Sequence, residues 1–176
     1  MTAIQNYRYA LLLLAGLSGL CLADTVNFDG TLIEDACEIY PGDEAIELDF
    51  GTVIDKYLYL NTRTHSQPFA IRLINCDLAL GREVRVTFSG MASGALPGYL
   101  AFDSSSSAKG AAIGLENSAG ELLAINSGNY TQQLQGGSSN TLNLKAFVRG
   151  EPLALQNKSI QLGAFTATAN FTLEYL

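Results

Sequence analysis

The chain has 176 residues, with 10 Lys+Arg against 17 Asp+Glu and a formal net charge of −7. A balance this acidic argues against nucleic acid and anionic membrane surfaces as partners, since both carry the same sign of charge. A hydrophobic content of 48% is that of a folded chain, and this length suits one domain with a core of its own.

Residues 1–23 read as an export signal. A single charge, Arg8, precedes an apolar run from Leu11 to Leu22, and Cys21-Leu-Ala23 places small residues at the first and third positions, as a signal peptidase requires. The run is shorter than the roughly 20 residues of a membrane span, and no later segment is comparably apolar, so no span is expected. Leu20 is too large for lipid attachment at Cys21. Removing this segment takes Arg8 away and leaves nine basic residues against 17 acidic ones, a net charge of −8 over 153 residues beginning at Asp24. Cys37 and Cys76 are then the cysteines that remain, and in an exported protein an even pair reads as one disulfide. Closing a loop of that size contributes about 4 kcal/mol in the chain-entropy account.

From Asp24 to Ile33 apolar and polar residues alternate, with Val26, Phe28, Gly30 and Leu32 on one side and Thr25, Asn27, Asp29 and Thr31 on the other. That is the period of a strand. Tyr40-Pro-Gly-Asp43 is a turn, and Glu44 to Phe50 is a second predicted strand with Ile46, Leu48 and Phe50 on one face. Its acidic residues sit at strand spacing between apolar ones, which fits a solvated face better than a calcium loop. Asn61 to Gln67 is a polar loop holding His65, the one histidine, which has no partner nearby in sequence for a triad or a metal site. Further strands are predicted at Phe69–Cys76 and Glu83–Gly90, then a loop from Met91 to Gly98 and a short strand at Tyr99–Phe102. The serine-rich stretch Asp103–Gly110 is exposed loop. Ala112–Leu115 and Glu121–Ile125 flank a turn and read as a hairpin, Gln135–Asn140 as a flexible turn, and Thr141–Val148 as a strand. Glu151–Gly163 is a connection with a short helical turn near Leu153 to Gln156.

The last stretch, Gly163 to Leu176, organises the rest. Phe165, Ala167, Ala169, Phe171, Leu173 and Tyr175 alternate with Thr166, Thr168, Asn170, Thr172 and Glu174. This is a half-buried strand, and no Lys, Pro or bulge signal blunts its edge against pairing with another chain. Two readings stand on periodicity alone: both terminal segments pair within one molecule, or the last strand keeps an open edge while Asp24–Ile33 is offered outward. Many short strands between Gly, Ser and Asn turns, with no sustained helical period, predict an all-β antiparallel sandwich.

Catalytic signatures are missing from this pattern. Gly90-Met-Ala-Ser-Gly94 has the wrong spacing for a nucleophile elbow, and Asp49-Phe-Gly51 has no glycine-rich loop or catalytic loop to accompany it. No metal site, cofactor or enzymatic activity is expected.

Together these pieces resemble the pilus subunits of the chaperone-usher pathway in Gram-negative bacteria. The resemblance rests on the signal segment, Val26-Asn-Phe-Asp-Gly30, the spacing of Cys37 and Cys76, Phe69-Ala-Ile-Arg-Leu73, and the close, with Gly163 fourteenth from the end and Tyr175 penultimate. It implies an incomplete immunoglobulin-like sandwich that lacks its last strand and is completed by donor-strand complementation. It also implies a division into a signal (1–23), an N-terminal donor extension (24–36) and a pilin domain (37–176). A periplasmic pilus chaperone is then expected to lend a strand along Gly163, Phe165, Ala167, Ala169, Phe171, Leu173 and Tyr175, with the carboxylate of Leu176 anchored in it. An outer-membrane usher would exchange that strand for the extension of a neighbouring subunit, while Val26, Phe28, Gly30 and Leu32 fill the groove of the next. The implied destination is the cell-surface fimbrium. Thr87 to Gly98 is similar to minor tip subunits of the P-pilus type, an adaptor in particular. A major shaft subunit and a self-contained secreted sandwich that binds a ligand or sugar are the alternatives.

Overall fold

The computed structural model describes residues 34–176. The expected export signal and the predicted strand with Val26, Phe28, Gly30 and Leu32 lie outside the described residues.

In chain order the elements are β1 (Glu38–Ile39), α1 (Asp55–Asn61), β2 (Gln67–Cys76), β3 (Glu83–Gly90), β4 (Ala111–Asn117), β5 (Asn129–Gln133), β6 (Gly137–Gly150), α2 (Pro152–Asn157) and β7 (Ala169–Tyr175). The strands form two antiparallel sheets, ordered β1-β2-β6-β4 and β5-β3-β7. Period-two alternation builds the core between them. Ile71 and Leu73 of β2, Leu142 and Leu144 of β6, and Ile113 and Leu115 of β4 meet Val84, Val86 and Phe88 of β3 in one buried cluster. The architecture is an immunoglobulin-like sandwich.

The outer face of the first sheet is covered as well. Leu96 and Tyr99, from the loop after β3, pack on Ala112 and Phe147, so every residue of β4 is buried. Arg63 lies over the Phe147 ring, 3.4 Å from its centroid, and its guanidinium meets buried Glu116 at 3.1 Å. The pairing keeps that carboxylate from being a buried, uncompensated charge. Cys37 and Cys76 are bonded, with Cα atoms 4.1 Å apart, and join the residue before β1 to the last residue of β2.

Several predicted elements differ. The predicted strand Glu44–Phe50 joins no ladder, although its burial still alternates, with Ile46, Leu48 and Phe50 half-buried. A strand exists only with a partner, and none of the described residues pairs with it. The Asn61–Gln67 loop is shorter than expected, because Asp55–Asn61 is a helix and β2 begins at Gln67. That helix buries one residue, Leu58, so it carries no apolar stripe for periodicity to detect. Gly137–Asn140, read as part of a flexible turn, is the start of β6, because β2 pairs with it from Ile74↔Ser139 to Gln67↔Ala146 and tertiary pairing overrides low strand propensity. Tyr99–Phe102 and Glu121–Ile125 contribute only isolated bridges, Ala92↔Leu100, Leu100↔Ile113 and Glu116↔Leu122, while β5 supplies a strand where none was predicted.

Candidate functional site

β7 is an edge strand. It pairs with β3 from Val84↔Tyr175 to Gly90↔Ala169 and with no other described strand. Glu83 and Leu176 exchange both backbone hydrogen bonds, Glu83 N–H to Leu176 O at 3.1 Å and Leu176 N–H to Glu83 O at 2.9 Å. Antiparallel pairing alternates, so Glu174, Thr172 and Asn170 also direct their backbone groups at β3. The N–H and C=O of Ala169, Phe171, Leu173 and Tyr175 point the other way, toward an edge where no described residue pairs with them.

Burial marks the same edge. On β3, Val84 and Val86 are 0% exposed, whereas every inward residue of the terminal segment, from Phe165 to Tyr175, is only half-buried. Opposite lies residues 44–50, whose backbone makes no backbone hydrogen bond to any described residue. Between these two lips runs a groove of about 600 Å³. Ile46, Leu48 and Phe50 line one wall, Ala167, Ala169 and Phe171 the other, and Phe69, Phe88, Ile113 and Leu115 form the floor. The chemistry is that of a missing strand: two backbone edges without a partner among the described residues flank an apolar trough that would take alternate side chains.

The groove has two different ends. At one end Phe165 stacks on Phe102, with centroids 4.5 Å apart, and lies 6.2 Å from Phe50. Gly163 sits beyond this stack, against a small separate cavity of about 50 Å³ that Phe165 also lines. It has φ +152°, and a Cβ there would meet the Ser107 Cβ at 2.6 Å. The close approach lets Ser107 and Ala108 donate to the Ala164 carbonyl at 2.9 and 3.2 Å, which holds the segment leading into β7. At the other end the groove continues into a cavity of about 670 Å³ lined by Leu173 and Tyr175, the two sharing Ile39, Glu44 and Phe171. Leu176 lies outside both.

Two polar contacts position the lips. The Tyr175 hydroxyl donates to the Cys37 carbonyl at 3.1 Å, tying β7 to the disulfide. Burial, and secondarily the Asp35 carboxylate, push this phenol above its usual range. Before the other lip, Asp43 takes a bidentate grip from Arg72, Nε to Oδ2 at 2.9 Å and Nη2 to Oδ1 at 2.6 Å, and accepts the Arg72 backbone N–H at 2.8 Å. The side-chain bonds from Arg72 hold the Asp43 carboxyl below the usual carboxylate range. The Arg72 guanidinium also lies 4.0 Å from the Tyr40 ring centroid.

The structure thus brings Phe165, Ala167, Ala169, Phe171, Leu173 and Tyr175 along one trough and its ends, and sets Gly163 and Leu176 outside it. Sequence reasoning did not identify the second lip. Its signal was present in the alternation of Ile46, Leu48 and Phe50 before Gly51, but nothing in that pattern says whether a strand is paired. His65 is exposed, with its Nε2 2.8 Å from the Tyr57 hydroxyl.

Over residues 26–176 the sequence matches the family described as fimbrial protein. It is similar to the fimbrial-like protein YfcP of Escherichia coli strain K12, with 32% identity over 178 residues that cover 98% of this chain and 97% of that protein. It is also similar to the fimbrial adapter PapK of Escherichia coli, 33% identical over 171 residues covering 94% of this chain and 96% of that one. The fold resembles the crystal structure of the P pilus rod subunit PapA, with a TM-score of 0.69 at 22% identity, covering 81% of this chain and all of that one.

Proposed function

We propose that this chain, which belongs to the fimbrial protein family and is a pilus subunit of the chaperone-usher type, is a minor subunit that polymerises by donor-strand exchange and serves as an adaptor. In this reading residues 37–176 are the accepting domain and residues 24–36 the donor. A neighbour's extension lies in the groove between β7 and residues 44–50, and Val26, Phe28, Gly30 and Leu32 fill the groove of the next subunit. Transit through the periplasm, with a chaperone strand in the groove until an usher exchanges it, belongs to the same proposal. The role is structural rather than catalytic.

The observation that carries it is the half-buried inward face of β7 beside a backbone edge without a described partner. A sandwich in that state exposes apolar surface that a donated strand would cover, at roughly 25 cal/mol per Å² buried. The adaptor assignment is supported by the likeness to PapK over nearly the whole of both chains.

The test is the urea unfolding midpoint of residues 24–176 with and without donor peptides drawn from pilin extensions. A peptide at 100 times its dissociation constant should add about 2.7 kcal/mol to the folded state. A chain already stable alone and indifferent to every peptide overturns the proposal in favour of a closed secreted sandwich.

A further inference from the structure

The groove is apolar in its trough and acidic along one rim and end. Within the accepting domain, Glu44 and Glu47 line its 44–50 wall, and Glu38 and Asp77 join Glu44 around the continuous cavity at the Tyr175 end. No Lys or Arg lines either cavity. Among the described residues the ion pairs are Arg63–Glu116, Arg72–Asp43 and Arg85–Glu174, so none of these four carboxylates is neutralised by one. All four side chains are exposed. Any strand laid along β7 therefore passes through a field of one sign, within the roughly 8–10 Å over which exposed charges act at physiological salt.

The chain's own extension has the same sign. Residues 24–35 hold Asp24, Asp29, Glu34 and Asp35 and no Lys or Arg. A second copy offering this segment would bring carboxylates to carboxylates, whichever way the strand runs.

We propose that the acidic rim selects the donor: the occupant of this groove is the extension of a different subunit, one that carries Lys or Arg beside its alternating apolar residues, and the rim disfavours a second copy of this chain. The inference rests on the donor-strand reading above and adds the chemical class of the partner. Apolar alternation supplies affinity and is common to every candidate strand. Charge discriminates among them, chiefly through the rate of encounter and through the penalty for like charges. A subunit that rejects its own extension enters a fibre as single copies, which is what an adaptor requires.

The test uses residues 24–176 and two twelve-residue peptides. One copies Asp24–Asp35; the other carries Asp24→Lys and Asp29→Lys and keeps Val26, Phe28, Gly30 and Leu32. At about 20 mM salt the lysine peptide should associate about tenfold faster or more, and at about 500 mM the ratio should fall below about threefold as screening shortens the field. Glu38→Gln, Glu44→Gln and Asp77→Asn together, which keep the hydrogen-bond acceptors, should remove most of the preference at low salt. Equal association of the two peptides at low salt, or a preference that ignores both salt and the triple substitution, overturns the charge selection while leaving the groove intact. Failure of both peptides to bind and to raise the unfolding midpoint overturns both this inference and the donor-strand reading beneath it.

Discussion

The Tyr175 hydroxyl donates to the Cys37 carbonyl at 3.1 Å, joining residues 138 positions apart where β7 passes the disulfide. This bond fixes the wide end of the groove. Tyr175→Phe leaves a buried carbonyl without its donor and should cost about 1–2 kcal/mol, measured by urea unfolding. Because burial raises the folded-state pKa of Tyr175, the group contributes stability that is present below its ordinary value of about 10 and is lost as pH rises through the raised one. The alkaline limb of the pH–stability curve should be shallower in Tyr175→Phe than in the parent.

Phe171 and Val86 separate groove from core. Val86 is 0% exposed on β3, while Phe171 is half-buried across the trough wall. Val86→Ala should cost about 2–3 kcal/mol with or without a donor peptide. Phe171→Ala should cost about 1 kcal/mol in the free chain and several-fold more of the stabilisation that a donor peptide adds, since only the bound strand completes its burial. Equal losses in the two states for Phe171→Ala would count against the groove as the binding site.

Gly163→Ala should destabilise by about 1–3 kcal/mol, from a positive φ and a Cβ that collides with Ser107. Ser107→Gly should restore part of this loss and no more. It removes the 2.6 Å contact, but the Ser107 carbonyl carbon at 3.1 Å and the backbone conformation remain. Thermal unfolding of the single and double variants reads the difference.

Asp43 anchors the residues leading to the 44–50 lip through Arg72. Its folded-state pKa is lowered, so its contribution is present above the ordinary carboxylate value of about 4 and is lost as pH falls through the lowered one. The stability gap between the parent and Asp43→Asn should close as pH drops from about 5 to about 2. Arg72→Lys keeps a charge but not the bidentate grip or the flat contact with Tyr40, and should weaken donor-peptide binding at neutral pH.

The sequence by itself determined the all-β class, the cysteine pair and the apolar face of the terminal strand. Each follows from composition or from a local period of two. Alternation also placed Ile46, Leu48 and Phe50 on one face, but it reported them in the same way as Val84, Val86 and Phe88. Only the tertiary structure decided that the first three line an open groove and the last three belong to the core face between the two sheets. Period tells which face of a strand is apolar; how far that face is covered, and whether the strand edge has a partner, depends on segments far away in the chain. The same reason hid α1, whose one buried residue, Leu58, meets Ala111 and Val148 from distant strands. It also hid the acidic rim, where Glu38, Glu44, Glu47 and Asp77 gather along the groove and its adjoining cavity, which no single stretch of sequence contains.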